Sequence, residues 1–302
     1  MVSGMFSLAV LPRALARPTA ALAAAVLLLT GVTLGGSPAQ ARQQERTPAA
    51  FASGEKFGVA TLNLKKGMRV AGMRHDIGQV LDGDASVIGF QERLFSRPAL
   101  RAALPKSWTL LMPKGPTGTD DNPIAFDKDV WELEKTWAAL LTGTTWRRQT
   151  GQIAHDQYGV VAVLRHRRTG HTIRAVSFHL PNHLHNRRTG GPNYANRRGV
   201  EAMWRMASRI RFLKEDAPKA HQFVAMCDCN VTENRDTTDH LVKGRITGPL
   251  RLETNYSGRK GGSGIDYVMG ERDSRFRIDS YESYRNLVTD HPGIVATFAR
   301  VG

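Results

Sequence analysis

The sequence predicts one α/β domain in which two β-sheets lie between outer helices. Short runs rich in β-branched and aromatic residues recur from residue 57 to residue 299, and two segments between them carry the three-and-four spacing of an amphipathic helix. Neither a short-period repeat nor a change of composition divides the chain. Hydrophobic residues make up 41% and charged residues 23% of the 302, which excludes a disordered tail, a collagen-like fibre and a coiled coil.

In chain order, the first feature is a leader. Arg13 and Arg17 precede an apolar run from Ala20 to Leu34, and Ala39-Gln40-Ala41 supplies the small residues a signal peptidase needs. The run is broken by Thr30, Gly31 and Thr33 and falls short of the roughly 20 residues of a membrane span. Residues 1–41 are therefore expected to be a secretory signal peptide cleaved after Ala41, giving a secreted product with no stable membrane anchor. A polar linker, 42–55, leads into the domain at 56–302.

Phe57 to Leu62 is the first expected strand, with Asn63 at its end. Val70, Met73, Ile77 and Val80 mark a helix stripe. Ser86 to Gln91 reads as a buried strand, Pro98 to Leu104 as a short helix, and Trp108 to Met112 as a strand. Residues 113–157 are placed in no element, although a loop rich in Pro, Gly and Asp opens them. Tyr158 to Arg165 and His171 to Leu180 form a hairpin with a basic tip. Val200, Met203, Trp204, Ala207, Ile210 and Leu213 make the apolar side of a long helix whose other side is arginine-rich. Strands return at Gln222 to Cys227, Ile265 to Met269, Arg277 to Tyr281 and Gly293 to Ala299.

Cys227 and Cys229 are two apart. In an extended strand their Cα atoms would be roughly 6.5 Å apart with little freedom to bridge, so buried inert thiols are expected. The formal charge is +15, and the leader removes two arginines and no acid, which leaves +13. Such an excess points to a polyanionic partner.

Polar residues with chemical use cluster where strands end: Asn63, Glu92, His179, Asn182, Asp228, Asn230, Asp266, Asp290 and His291. Asp228 and Asn230 flank Cys229 at period two and would share one face. His183, His185, Arg187 and Arg188 form a basic loop beside that rim, a better reading than a zinc site because no thiolate or carboxylate accompanies them. No nucleophile elbow, His-Glu-x-x-His helix, Gly-x-x-x-x-Gly-Lys loop or dinucleotide fingerprint is present.

Thr61-Leu-Asn63, Gly89-Phe-Gln-Glu92, Phe178-His-Leu-Pro-Asn182, Cys227-Asp-Cys-Asn230, Gly264-Ile-Asp-Tyr267 and Thr289-Asp-His-Pro292 occur in the order seen in the endonuclease/exonuclease/phosphatase superfamily, which the chain resembles from Phe57 to Phe298. The resemblance implies a four-layer sandwich, two packed mixed β-sheets flanked by helices, with the site at one rim. It implies Glu92, Asn63 and Asp290 around a divalent metal, Mg²⁺ with Mn²⁺ as a substitute. It implies His291 as general base or phosphate contact oriented by Asp266, and Asp228 and Asn230 positioning water and phosphoryl oxygens. His179 would donate to the phosphate or the leaving oxygen, and Asn182, with Arg187 and Arg188 nearby, would touch substrate. The expected function is a secreted, Mg²⁺-dependent phosphodiester hydrolase, a monomer acting on DNA or RNA through attack of water. Two alternatives stand beside it: a sphingomyelinase-type phospholipase, for which Trp131, Trp137 and Trp146 are the candidate apolar contacts, and a non-catalytic basic nucleic-acid-binding module.

Overall fold

Along the first strand, side chains at 57 and 59 face one way and those at 60 and 62 the other, and both faces are apolar and buried. A strand covered on both sides belongs inside a layered structure. The computed structural model describes residues 55–65, 67–92, 97–116, 119, 121–143, 156–181, 184, 197–230, 246, 251–254, 264–272 and 274–301. The expected leader and most of its linker, Trp146, Asn182, His183, His185, Arg187 and Arg188 lie outside the described residues.

The elements run β1 (Lys56–Asn63), α1 (Val70–Asp82), β2 (Ala85–Gln91), α2 (Arg97–Ala103), β3 (Trp108–Leu111), β4 (Ile124–Asp127), β5 (Trp131–Thr142), β6 (Gln157–His166), β7 (Thr172–His179), α3 (Arg197–Glu215), β8 (Gln222–Asp228), β9 (Leu252–Thr254), β10 (Asp266–Glu271), β11 (Phe276–Tyr284) and β12 (Gly293–Arg300). They build two mixed six-stranded sheets, ordered β11-β12-β1-β2-β4-β3 and β5-β6-β7-β8-β10-β9. Phe57, Val59, Phe126, Trp131, Ala175, Met226 and Phe298 pack between the sheets. Leu62, Ile77, Phe90 and Leu100 join the first sheet to α1 and α2, and Phe178, Met203, Ile210 and Tyr267 join the second to α3. The result is helix, sheet, sheet, helix, the four layers expected.

The segment left unplaced holds two strands. β5 is the edge of the second sheet, and its pairing with β6 slips between Leu133 and Lys135 and again between Leu140 and Thr142, which breaks the alternation a strand shows in sequence. Glu132, Glu134 and Lys135 keep its outer part polar, as an edge requires. Trp131 is fully buried between the sheets with its Nε1–H donating to Ser86 Oγ (3.0 Å), and Trp137 packs partly buried against the α3 layer.

The cysteines correct an expectation. Cys227 and Cys229 are bonded to each other, with Cα atoms 5.3 Å apart. The strand ends at Asp228 and Asn230 takes the left-handed conformation (φ 52°), so the chain bends where an extended course was assumed. A ring this small removes little chain entropy and does not staple the fold.

Toward one end of the inner layer the apolar side chains give way to polar ones: Val59, Thr61, Asn63 on β1; Val87, Gly89, Gln91 on β2; Ala175, Ser177, His179 on β7; Met226, Asp228 on β8; Val268, Asp266 on β10. Gly89 allows the sheets to approach there, since a Cβ would lie 2.7 Å from Met226 Cβ and 3.0 Å from Ser177 Oγ. Gly89→Ala is expected to destabilise the protein by about 1–3 kcal/mol, lowering the melting temperature by several degrees. Thermal unfolding checks this, and an unchanged midpoint would show that the sheets have room to spare.

Candidate active site at the sheet rim

Strand register sets the site. On the second sheet Asp228 pairs across from His179 on one side and from Asp266 on the other, so β7, β8 and β10 present three functional side chains in one row. On the first sheet Asn63 is level with Gln91. Below this row Thr61 Oγ1 donates to Gln91 Oε1 (3.0 Å), Gln91 Nε2 to Ser177 Oγ (3.2 Å), and Ser177 Oγ to the Phe90 carbonyl (3.1 Å), tying the two sheets together. Each of these buried polar groups is thereby satisfied.

His291 enters from the segment before β12. That segment is held by Asp76, a fully buried carboxylate on α1 that accepts the Val288 and Thr289 backbone N–H groups at 2.8 and 2.9 Å, while Thr289 Oγ1 donates to the Asn63 carbonyl (2.8 Å). His291 Nδ1 lies 3.0 and 3.2 Å from the Asp266 carboxylate oxygens and donates to them, which leaves Nε2 facing the rim, 3.5 Å from Asn63 Nδ2. Asn63 Nδ2 donates to Asp228 Oδ2 (2.8 Å), and His179 Nε2 stands 3.2 Å from the same oxygen. Asn230 donates its backbone N–H to Asp228 Oδ1 (2.9 Å) and its Nδ2 to the Leu180 carbonyl (2.8 Å), with that Nδ2 also 2.8 Å from His179 Nε2.

Asn63, His179, Asp228, Asn230, Asp266 and His291 thus form one connected network. Glu92, one residue past β2 and in the left-handed conformation (φ 55°), brings its carboxylate into a group with His179 and Asp228 whose donor atoms lie within 4.8 Å of one another. Asp228, Asp266 and His291 form a second such group. Asp290 is exposed and belongs to neither.

The titrating groups perturb each other. Burial works against charge on His291, but its bond to Asp266 and the nearby charges of Asp266, Asp228 and Glu92 outweigh it, raising the imidazole to about 9. Burial, helped by the charge of Asp228, pushes Asp266 up to about 7 against the pull of His291. His179 is raised as well: burial opposes its charge, and Asp228 beside it prevails. Asp228 is lowered, because His179 foremost, then His291 and the Asn230 N–H, overcome the cost of burying it. At neutral pH the rim therefore carries the His291 imidazolium beside buried carboxylates, with His179 shifted in the same direction.

The donor set fits a hard divalent cation. Asn63 spends its amide nitrogen on Asp228, its Oδ1 is buried with no hydrogen-bond partner among the described residues, and Asp228 in turn stands in one group with the Glu92 carboxylate, so oxygen donors predominate here.

The supporting residues Asp76, Thr61, Gln91 and Ser177 are absent from the set read from sequence. Thr61 and Gln91 lie within the motifs quoted for Asn63 and Glu92, and Asp76 left a signal of its own: it falls three residues after Met73, inside the apolar stripe of α1, where a carboxylate needs a partner.

No family model matches the sequence, and no curated protein matches it. Solved structures do. An endonuclease/exonuclease/phosphatase from Bacteroides vulgatus is similar at 18% identity and a TM-score of 0.61, covering 82% of this chain and 100% of that one. The mannosyl-6-phosphatase Bt3783 of Bacteroides thetaiotaomicron aligns at 14% identity and a TM-score of 0.56, over 82% of this chain and 100% of its own. D. rerio TDP2 complexed with a single-strand DNA product aligns at 12% identity and a TM-score of 0.51, over 80% and 98%. The chain has the endonuclease/exonuclease/phosphatase fold.

Proposed function

We propose that this chain, on an endonuclease/exonuclease/phosphatase fold, is a metal-dependent phosphodiester hydrolase that acts on nucleic acid after export. The observation that carries the reading is the row of His179, Asp228 and Asp266 facing Asn63 across the sheets, with His291 bonded to Asp266 and the Asn63 Oδ1 left without a partner among the described residues. Glu92, Asp228 and the Asn63 oxygen would hold Mg²⁺, or Mn²⁺ in its place, with Asp228 taking the position the sequence reading gave to Asp290. When bound, such an ion neutralises charge on a nonbridging phosphate oxygen.

The chain's own residues supply the rest. His291, protonated at neutral pH and unable to turn away from Asp266, donates from Nε2 to a phosphoryl oxygen and stabilises charge that grows as the phosphorus is attacked. Of the two roles read from sequence, phosphate contact suits this raised imidazole better than proton acceptance. His179, held by Asp228, donates to the departing oxygen. Asp228 is kept ionised by its neighbours and accepts a hydrogen bond from the attacking water, while Asn230 fixes Asp228 and His179 together.

Substrate class rests on charge. With +13 after the leader, a polyanion gains counterion release and steering that a small ester does not. Trp131 and Trp137, two of the three tryptophans that kept a phospholipase reading open, are engaged in packing. The disulfide is the chemistry of an oxidising compartment and agrees with export.

A panel of duplex DNA, single strands, RNA, sphingomyelin and a sugar phosphate tests this reading. Nucleic acid is expected to be cleaved fastest, and its binding to weaken about 10³–10⁵-fold between 50 and 200 mM salt if 6–10 phosphates are contacted. A flat salt response with faster cleavage of the lipid or the sugar phosphate would remove nucleic acid as the substrate.

A further inference from the structure

The strands that carry the catalytic row also end at a second cavity. β7 has His179 at the rim and His171 just before its other end. β8 runs from Asp228 back to Gln222, and β10 from Asp266 to Glu271. Eight residues at about 3.3 Å per residue place His171 about 26 Å from His179. There a cavity of about 390 Å³ is lined by His171, Lys214, Lys219, His221, Arg251 and Arg275. Among the described residues Glu271 is the one carboxylate in the lining, beside Lys214, Lys219, Arg251 and Arg275.

That carboxylate is committed. One oxygen pairs with Lys214 Nζ (3.0 Å) and the other accepts the Phe223 backbone N–H (3.0 Å). Its negative charge is thus matched within the wall by Lys214, and Lys219 and Arg275 add positive charge to the lining beyond that pair. Two further observations mark the place. The Nδ1 atom of His221 is buried without a hydrogen-bond partner among the described residues, and Arg251 is held in the left-handed conformation (φ 53°), which a non-glycine residue adopts at a cost. His171 responds to the same surroundings: burial first, then the charges of Arg275 and His221, push it down to about 4 against its bond to Gln222, so it lines the cavity as a neutral ring. Arginine and lysine together suit a phosphate group, which offers several acceptor oxygens and more than one negative charge. The volume is near the low end for ligand pockets, enough for a phosphate ester or pyrophosphate.

We propose that this basal cavity is a second oxyanion site, which binds the phosphate group of a ligand at the end of the sheets opposite the catalytic rim. The proposal requires neither a metal nor the hydrolytic activity. Its source of phosphate is either a free phosphorylated ligand or the backbone of a strand whose other part lies at the rim.

Pyrophosphate titrated by calorimetry into the protein in EDTA tests it. Binding is expected, and Lys219→Ala/Arg275→Ala should weaken it at least about tenfold with no change in melting temperature or in hydrolysis of a short phosphodiester. His291→Ala should leave this binding intact. Equal affinity in the double variant and the wild type, no binding to the wild type at millimolar concentration, or loss of binding in His291→Ala would each overturn the proposal. Kinetics with the double variant identifies the source. A raised KM for a strand of about 20 nucleotides, long enough at 3.4 Å per nucleotide to reach both ends, with no change for a dinucleotide, assigns the site to substrate backbone. An unchanged KM for both, with pyrophosphate binding lost, assigns it to a separate phosphorylated ligand.

Discussion

His291→Ala is expected to lower phosphodiester hydrolysis by about 10²–10⁴-fold in a protein that remains folded. His291 is partly exposed, so its removal leaves no large cavity, but it does strip Asp266 of its partner. Asp266 is already raised to about 7, so near neutrality it can take up a proton in place of remaining a buried bare charge. His291→Gln keeps a donor beside Asp266 without the imidazolium, and should lose a similar factor in rate with a smaller change in melting temperature. The pH dependence has a fixed sign. A charged imidazole raised to about 9 is fully present below its ordinary range and is lost as pH climbs through 9. In the metal-free protein its ring resonances should titrate there by NMR. Asp266→Asn removes the neighbour that raises it, so titration should move toward 6.5. Near-normal turnover in His291→Ala, or an unshifted titration in Asp266→Asn, would take the pair out of the mechanism.

Glu92→Gln is expected to weaken Mg²⁺ binding at least about 10–100-fold, read by calorimetry, and to depress the rate in parallel. The substitution conserves shape and removes only the charge that Glu92 directs toward His179 and Asp228. Asp228→Asn should have the same sign. Asp290→Asn separates the two ligand sets: an exposed carboxylate outside both clusters should change the affinity less than about twofold. A tenfold loss there would restore Asp290 to the cation and displace Asp228.

Much of the fold was legible because its strands alternate or run apolar over four to eight residues and its helices keep one stripe. β1, β2, β7, β8, β10 and β12 appeared within a residue or two of their bounds. The failures have local causes. β4 has four residues and no flanking pattern, and β5 carries two register slips, so its twelve residues never show a period of two. The cysteine geometry was misread because an extended course was continued through residue 229, beyond the strand's end at Asp228.

The site was more legible than the packing that holds it. Asn63, His179, Asp228 and Asp266 all stand at strand ends, and a strand end on a sheet rim is where the inner face stops needing apolar side chains. What the sequence could not reveal was pairing at long range. Asp76 on α1 anchors the segment that delivers His291, more than two hundred residues away, and nothing local records that contact. Adjacent residues diverge, as their positions in the chain imply: His291 turns inward to Asp266 while Asp290 is exposed.

The most direct measurement is cleavage of plasmid DNA by the purified protein, with Mg²⁺ and again after EDTA, followed by restoration with excess Mg²⁺. The predicted result is nicking that stops on chelation and returns with the metal, in the wild type and not in His291→Ala. Cleavage that continues unchanged in EDTA, or that His291→Ala performs as well as the wild type, would contradict a cation and an imidazolium acting together at this rim.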